Sequence, residues 1–185
     1  MVEKAMPDCP PAGTRRTSCA EIAIVDAFSA LVFERRYDAI RVSALIARAG
    51  VGKSTFYEHF RSKDDVLLAT MRPVLLALAT AASGRAARSY IRATVEHLWE
   101  QRSTGRRIMD SVAAPIIQRR LAKTIAAHGQ AVDACCGTPI FAIGIAAAQL
   151  AMLRSWLAGH VAVTIDGMTD QLMACSRLRH TDRSL

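Results

Sequence analysis

Aromatic residues are scarce in this sequence: two tryptophans, three tyrosines and five phenylalanines among 185 residues. Glycine and proline are also few, ten and six. Sandwiches and barrels need turn residues and aromatics in greater supply, so both shortages argue for helices. The five cysteines (Cys9, Cys19, Cys135, Cys136 and Cys175) form no C-x-x-C pair and no zinc-finger spacing. They read as small buried hydrophobes in a reducing cytosol, with a redox-sensing pair at the adjacent Cys135 and Cys136 as the alternative. No His/Asp/Glu/Cys cluster has metal spacing, and no cofactor is expected. The first residues carry acids and prolines where a signal peptide needs a basic end and an apolar run. The longest apolar run, Ile140 to Leu153, contains Gln149 and stops at Arg154, short of the roughly 18 residues of a bilayer span. The expectation is a soluble cytoplasmic protein with no membrane partner.

Just over half of the chain is hydrophobic, 51%, enough to fold. The formal charge is +8, which raises the prior for a polyanionic partner but is silent on fold. Its placement weakens the simple inference. Residues 1–72 hold 11 Lys and Arg against 9 Asp and Glu, whereas the remainder holds 13 against 7.

Pro7, Pro10, Pro11 and Gly13 mark residues 1–16 as a disordered arm. Ser18 with Glu21 matches a capping box, and Ile22, Val25, Phe28, Leu31 and Val32 follow at helical spacing. A short second helix spans 42–49, with Val42, Leu45, Ile46 and Ala49 on one face and Gly50 as its stop. Thr55 to Phe60 begins a third, with Phe56 and Phe60 sharing a face. Ser62 caps the next helix. Further helices are expected near 63–81, 86–102, 106–112, 115–128, 139–158 and 165–177. Thr104-Gly105 is read as a break, Thr138-Pro139 as a start and Thr164 as a cap.

Helix, tight turn, helix is a DNA-reading device, since a second helix of this kind fits the major groove of a double-stranded operator. With Phe56 and Phe60 packed inward, the opposite face carries Lys53, Thr55 and Tyr57, with Gly52 and Ser54 at its opening and Arg41 and Ser43 on the helix before. Tyr57, His59 and Lys63 can reach flanking phosphates, and free amides at the start of the next helix are expected to strengthen the contact at Lys63. Gly52-Lys53-Ser54-Thr55 is similar to the end of a phosphate-binding loop of an NTPase. Ala47, in a helix, stands where that loop needs its first glycine after a strand, so the reading fails. No cysteine has an identifiable base, and no enzyme activity is expected.

The stretch Leu45 to Leu68, LIARAGVGKSTFYEHFRSKDDVLL, resembles the signature of the tetracycline-repressor (TetR) family, through Ala49-Gly50-Val51, Thr55-Phe56-Tyr57, His59-Phe60 and Ser62-Lys63. Departures are Gly52 where the family often has Ser, Ser54 where it often has Gly, Arg41 where it usually has a Thr or Ser cap, Ile46 for alanine and Arg36 for glycine. The resemblance implies an all-α fold: a three-helix DNA-binding domain at 17–62 (motif 41–60), a helical effector-binding and dimerisation domain at 63–178, and a flexible tail at 179–185. It implies that Tyr57 and Lys63 hold phosphates and that the helix from Lys53 reads bases, with Thr55 in either role. It further implies a homodimeric repressor of a palindromic operator, released by a small-molecule effector. A helical interaction module or a cysteine-based redox sensor is the alternative.

The helix from Pro139 is apolar on nearly every side and so must be covered all round. Ile143, Ala147, Leu150 and Arg154, paired with Met168 and Leu172 of the last helix, are the expected dimer interface. Met71, Leu75, Tyr90, Trp99, Met109, Ile116, Phe141, Met152 and Trp156 are the candidate effector pocket. Arg92, Arg106 and Arg107 either favour an acidic or acyl effector or form a solvated face.

Overall fold

The computed structural model describes residues 15–130 and 139–179, and every regular element among them is helical. Most of the expected arm, the pair Cys135 and Cys136, the Thr138 cap and most of the tail lie outside the described residues.

The first helix, α1, runs Arg15–Glu34. It begins ahead of Ser18, which therefore lies inside the helix and not at its cap. Arg15, Arg16 and Thr17 contain no breaker that would stop it short. A 3-10 turn at Tyr37–Ala39 leads to α2, Val42–Ala49, and α3, Lys53–His59. Gly50 ends α2 with φ 65, a left-handed conformation that costs glycine little. Arg41 stands at the start of α2 without any side-chain cap.

α4, Lys63–Thr70, is capped as expected: the Asp65 amide donates to Ser62 Oγ at 3.2 Å, and the Arg61 amide donates to Asp65 Oδ2 at 3.1 Å. The single helix expected over 63–81 is instead two, α4 and α5 (Arg72–Ala82), bent by 57° at Met71. Pro73 is the cause, because it has no N–H to donate back and its ring crowds the preceding turn.

α6 is Arg88–Glu100 and α7 Arg102–Met109. The break falls at Gln101, and Thr104-Gly105 sits inside α7. Gly105 is a packing residue there, since a Cβ would come within 3.3 Å of Leu157 Cδ1. α8 spans Ala114–Gln130, α9 Pro139–Leu157 and α10 Ile165–Ala174, followed by a 3-10 turn at Cys175–Arg179. Thr164 caps α10 by accepting from the Gly167 amide at 3.1 Å.

Two packing groups emerge. In the first, α2, α3 and α4 pack on α1 around the buried Ile24, Phe28, Leu45, Phe56, Val66 and Leu67. At roughly 1.5–3 kcal/mol per large side chain, this small core is what holds the short α3 in place. The head set at 17–62 from the sequence thus shares its core with α4. In the second group α5 packs on α8, α8 on α9, and α10 on α6 and α5.

The expected pairing of α10 with α9 at an interface is not seen. Met168 and Leu172 are buried within the protomer, because α10 covers α6. Over Ile140–Leu157, α9 is long and apolar enough to cross a membrane by length and composition, contrary to the reading from its apolar run. Part of that surface is covered here: Leu153 and Trp156 are buried, and Gln149 Nε2 donates to the Leu78 carbonyl at 3.1 Å.

Candidate nucleic-acid interface

Gly50, Val51 and Gly52 turn the chain between α2 and α3, and the two helices present one polar surface. Arg41 and Ser43 are exposed, as are Gly52, Lys53, Ser54 and Tyr57, while Thr55 is half-buried. The other side of α3 is anchored. Phe56 is fully buried with Tyr57 edge-on to it at 5.3 Å, and Phe60 packs at 6.1 Å from Phe56. Tyr57 keeps 49% of its surface exposed, so its hydroxyl stands clear on a ring held by α3. A seven-residue helix of about 10 Å, with its polar side outward, fits a major groove roughly 12 Å wide.

His59 and Lys63 differ from the expectation. His59 is half-buried and lines a cleft of about 700 Å³ with Arg61, Arg72, Arg120 and His128, between the end of α3 and α5 and α8. It therefore faces the body of the molecule. Lys63 Nζ donates to the carbonyls of Tyr37 and Ile40 at 3.0 and 3.2 Å and lies 4.4 Å from the Tyr37 ring centroid. Its ammonium closes the 3-10 turn ahead of α2, and one of its three N–H groups remains for a phosphate. The first turn of α4 also carries Asp64 and Asp65, with the Asp65 amide taken by Ser62. Two carboxylates there repel an anion, and the Asp65 amide is not free to add to the expected support.

Tyr37 completes the clamp from beneath. It is buried against Phe28, and its hydroxyl donates to Asp64 Oδ1. Burial, reinforced by the hydrogen bond and charge of Asp64 and the charge of Asp38, pushes its pKa well above the ordinary tyrosine range.

A second, more apolar cavity of about 430 Å³ lies between α1 and α7, with walls from α4, α5, α6 and α9. It falls within the size range of small-molecule sites. Of the nine candidate pocket residues it brings together Met71, Leu75 and Met109. Tyr90 and Phe141 are exposed on the surface. Trp99 stacks on the buried Trp156 at 4.6 Å, and Trp156 Nε1 donates to the Val163 carbonyl at 2.8 Å. Ile116 and Met152 pack against the core elsewhere.

Among the described residues, no Lys, Arg, Asp or Glu lines the cavity. The three arginines are engaged or turned away: Arg92 pairs with Glu96 and Asp166 at 3.2 and 3.3 Å, Arg106 is exposed, and Arg107 Nη2 donates to the carbonyls of Val32 and Phe33 at 3.2 and 3.1 Å. Sequence reasoning passed over Phe33 and gave Arg107 either to an effector or to solvent. An apolar Phe33 beside the end of a helix was the available signal. Among the described residues no group of three metal-ligating side chains occurs. The Cys175 thiol is buried, which pushes its pKa up and away from nucleophilic use.

Residues 24–70 match the family model described as "Bacterial regulatory proteins, tetR family". No curated protein matches the chain by sequence. A TetR transcriptional regulator from Streptococcus agalactiae 2603V has a similar structure, with a TM-score of 0.55 at 20% identity over 88% of this chain and 96% of that one. A TetR-like transcriptional regulator from Rhodococcus sp. RHA1 aligns over 94% and 100% at 21% identity, with a TM-score of 0.41. Over residues 24–70, which span most of α1 and all of α2, α3 and α4, the chain thus matches the tetR family of bacterial regulatory proteins, in a fold that the streptococcal structure shares.

Proposed function

We propose that this protein is a dimeric repressor that reads a palindromic operator with α3 and is released by a small molecule in the α1–α7 cavity. The carrying observation is the division of α3 into a buried aromatic side and an exposed side bearing Lys53, Ser54 and Tyr57. Lys53 and Ser54 supply base contacts, and Tyr57, with the remaining N–H of Lys63, holds phosphates. A helical interaction module has no need of that division.

The second copy seats on α8 and α9, not on α9 and α10. Ile140 and Ile143 of α9 are 70% and 52% exposed. A groove beside Ile143 is lined by Gln118, Ala122 and Ala126 of α8. Ala147, Leu150 and Arg154 continue that face beside Ala114 and Gln118. Exposed isoleucines over small residues suit close approach of a second helix pair. The symmetric copy then sets two α3 helices on two half-sites.

Selection of bound DNA from a random pool tests the reading. Recovery of a palindrome, bound with an affinity that falls steeply with salt, supports it. Salt-insensitive or absent binding removes it.

A further inference from the structure

Arg107 spans the same gap that the cavity occupies. α1 and α7 share little backbone packing. What joins them is the Arg107 guanidinium, whose Nη2 donates to Val32 and Phe33 at 3.2 and 3.1 Å. These carbonyls belong to the last turn of α1, where helical partners run out and the dipole favours a cation. The link is incompletely satisfied, because Arg107 Nε is buried and has no hydrogen-bond partner. Phe33 on one side and Thr104, Gly105 and Ile108 on the other line the cavity around this link. The lining offers a few polar groups, Ser29, His97, Gln101 and Thr104 among them, and no Lys, Arg, Asp or Glu.

We propose that the cavity takes an uncharged, largely apolar ligand, and that Arg107 reports its presence to the reading head. The inference rests on the effector reading above and adds the ligand class and the residue that transmits. A ligand seated between Phe33 and Ile108 holds α7 away from α1 and draws the guanidinium off the two carbonyls. The last turn of α1 then loosens, and with it the helix on which α2, α3 and α4 pack. A charged ligand is excluded because a mostly apolar lining without Lys, Arg, Asp or Glu does not replace its water. Arg107 is a positioning residue, touching neither DNA nor ligand.

The test compares two fluorescent probes sharing one ring system, neutral N-phenylnaphthylamine and anionic anilinonaphthalene sulfonate. The neutral probe should bind at least about tenfold tighter, and Val74→Trp, which fills the cavity, should abolish its binding. Amide hydrogen exchange on free protein reads the link. With the neutral probe bound, exchange over residues 33–36 should rise about threefold or more in the wild type. In Arg107→Met it should already be raised and gain nothing from the probe, with Arg107→Lys intermediate. On DNA selected as above, the probe should weaken binding of the wild type and leave that of Arg107→Met unchanged. No binding of the neutral probe, or equal binding of the anionic one, overturns the ligand class. An equal probe response in wild type and Arg107→Met overturns the role of Arg107. The probe and exchange arms need no DNA, so failure of the repressor reading shows separately, as absence of a selected sequence.

Discussion

Replacing Lys63 by alanine separates its two roles. In the structure its ammonium donates to the Tyr37 and Ile40 carbonyls at 3.0 and 3.2 Å and sits over the Tyr37 ring. Charge-assisted hydrogen bonds contribute about 1.5–3 kcal/mol each when shielded, and a cation that water still reaches adds ~0.5–1 kcal/mol over an aromatic ring. The side chain is only half-buried, so water takes over part of both bonds. The net expectation is a loss of about 2 kcal/mol, or roughly 4–8 °C in Tm for a chain of this size. Urea unfolding followed by far-UV circular dichroism measures it, with the midpoint lowered and the slope kept. The remaining N–H adds a second signature: without the Lys63 ammonium to neutralise a phosphate, the salt slope of DNA binding falls by about one. An unchanged urea midpoint with DNA binding abolished would refute the clamp, and the ammonium would belong wholly to phosphate.

Tyr57→Phe should weaken DNA binding uniformly across sequences with stability unchanged, whereas Lys53→Ala should also alter the selected sequence; competition binding against a mixed pool tells them apart. Gly50→Ala should cost about 1–2 kcal/mol by thermal melt although its Cβ meets nothing within 4 Å, because the penalty lies in the left-handed backbone. Tyr37 has a folded pKa above its unfolded one, so its contribution is complete below about pH 10 and is lost as pH rises beyond that. An alkaline stability series should show this fall in the wild type and not in Tyr37→Phe. Ile143→Glu should give a helical monomer on sizing, while Met168→Glu should lose helicity outright, since Met168 is buried within the protomer.

Features set by neighbours along the chain were legible in the sequence. Gly50, Ser62 and Thr164 are local signals, because each satisfies or frees backbone groups within one turn. The bend at Met71 was hidden because Leu67, Leu68, Leu75 and Leu78 sustain an apolar pattern through Pro73. An apolar face announces that it is covered but not by what. That is why Met168 and Leu172 were assigned to a second copy when α6 and α5 cover them. The structural role of Lys63 was hidden for the same reason: its acceptors lie 26 and 23 residues earlier, brought near only by packing. The cavity was sought mainly among methionines and large aromatics, with Leu75 and Ile116, and of these Met71, Leu75 and Met109 line it. In the folded chain Trp99 and Trp156 fill space against each other, and the gap opens between Phe33 and Ile108.

The stacked tryptophans have a spectroscopic consequence. They are the chain's two tryptophans, and both lie in the body, on α6 and α9, 4.6 Å apart. Their emission therefore arises from one chromophore pair, and the reading head contributes none of it. A melt followed by tryptophan fluorescence will report α6 and α9 and stay dark to loss of α2 and α3. A tryptophan placed in the head would give it a colour of its own, and any difference between the two signals would measure how far head and body unfold as one.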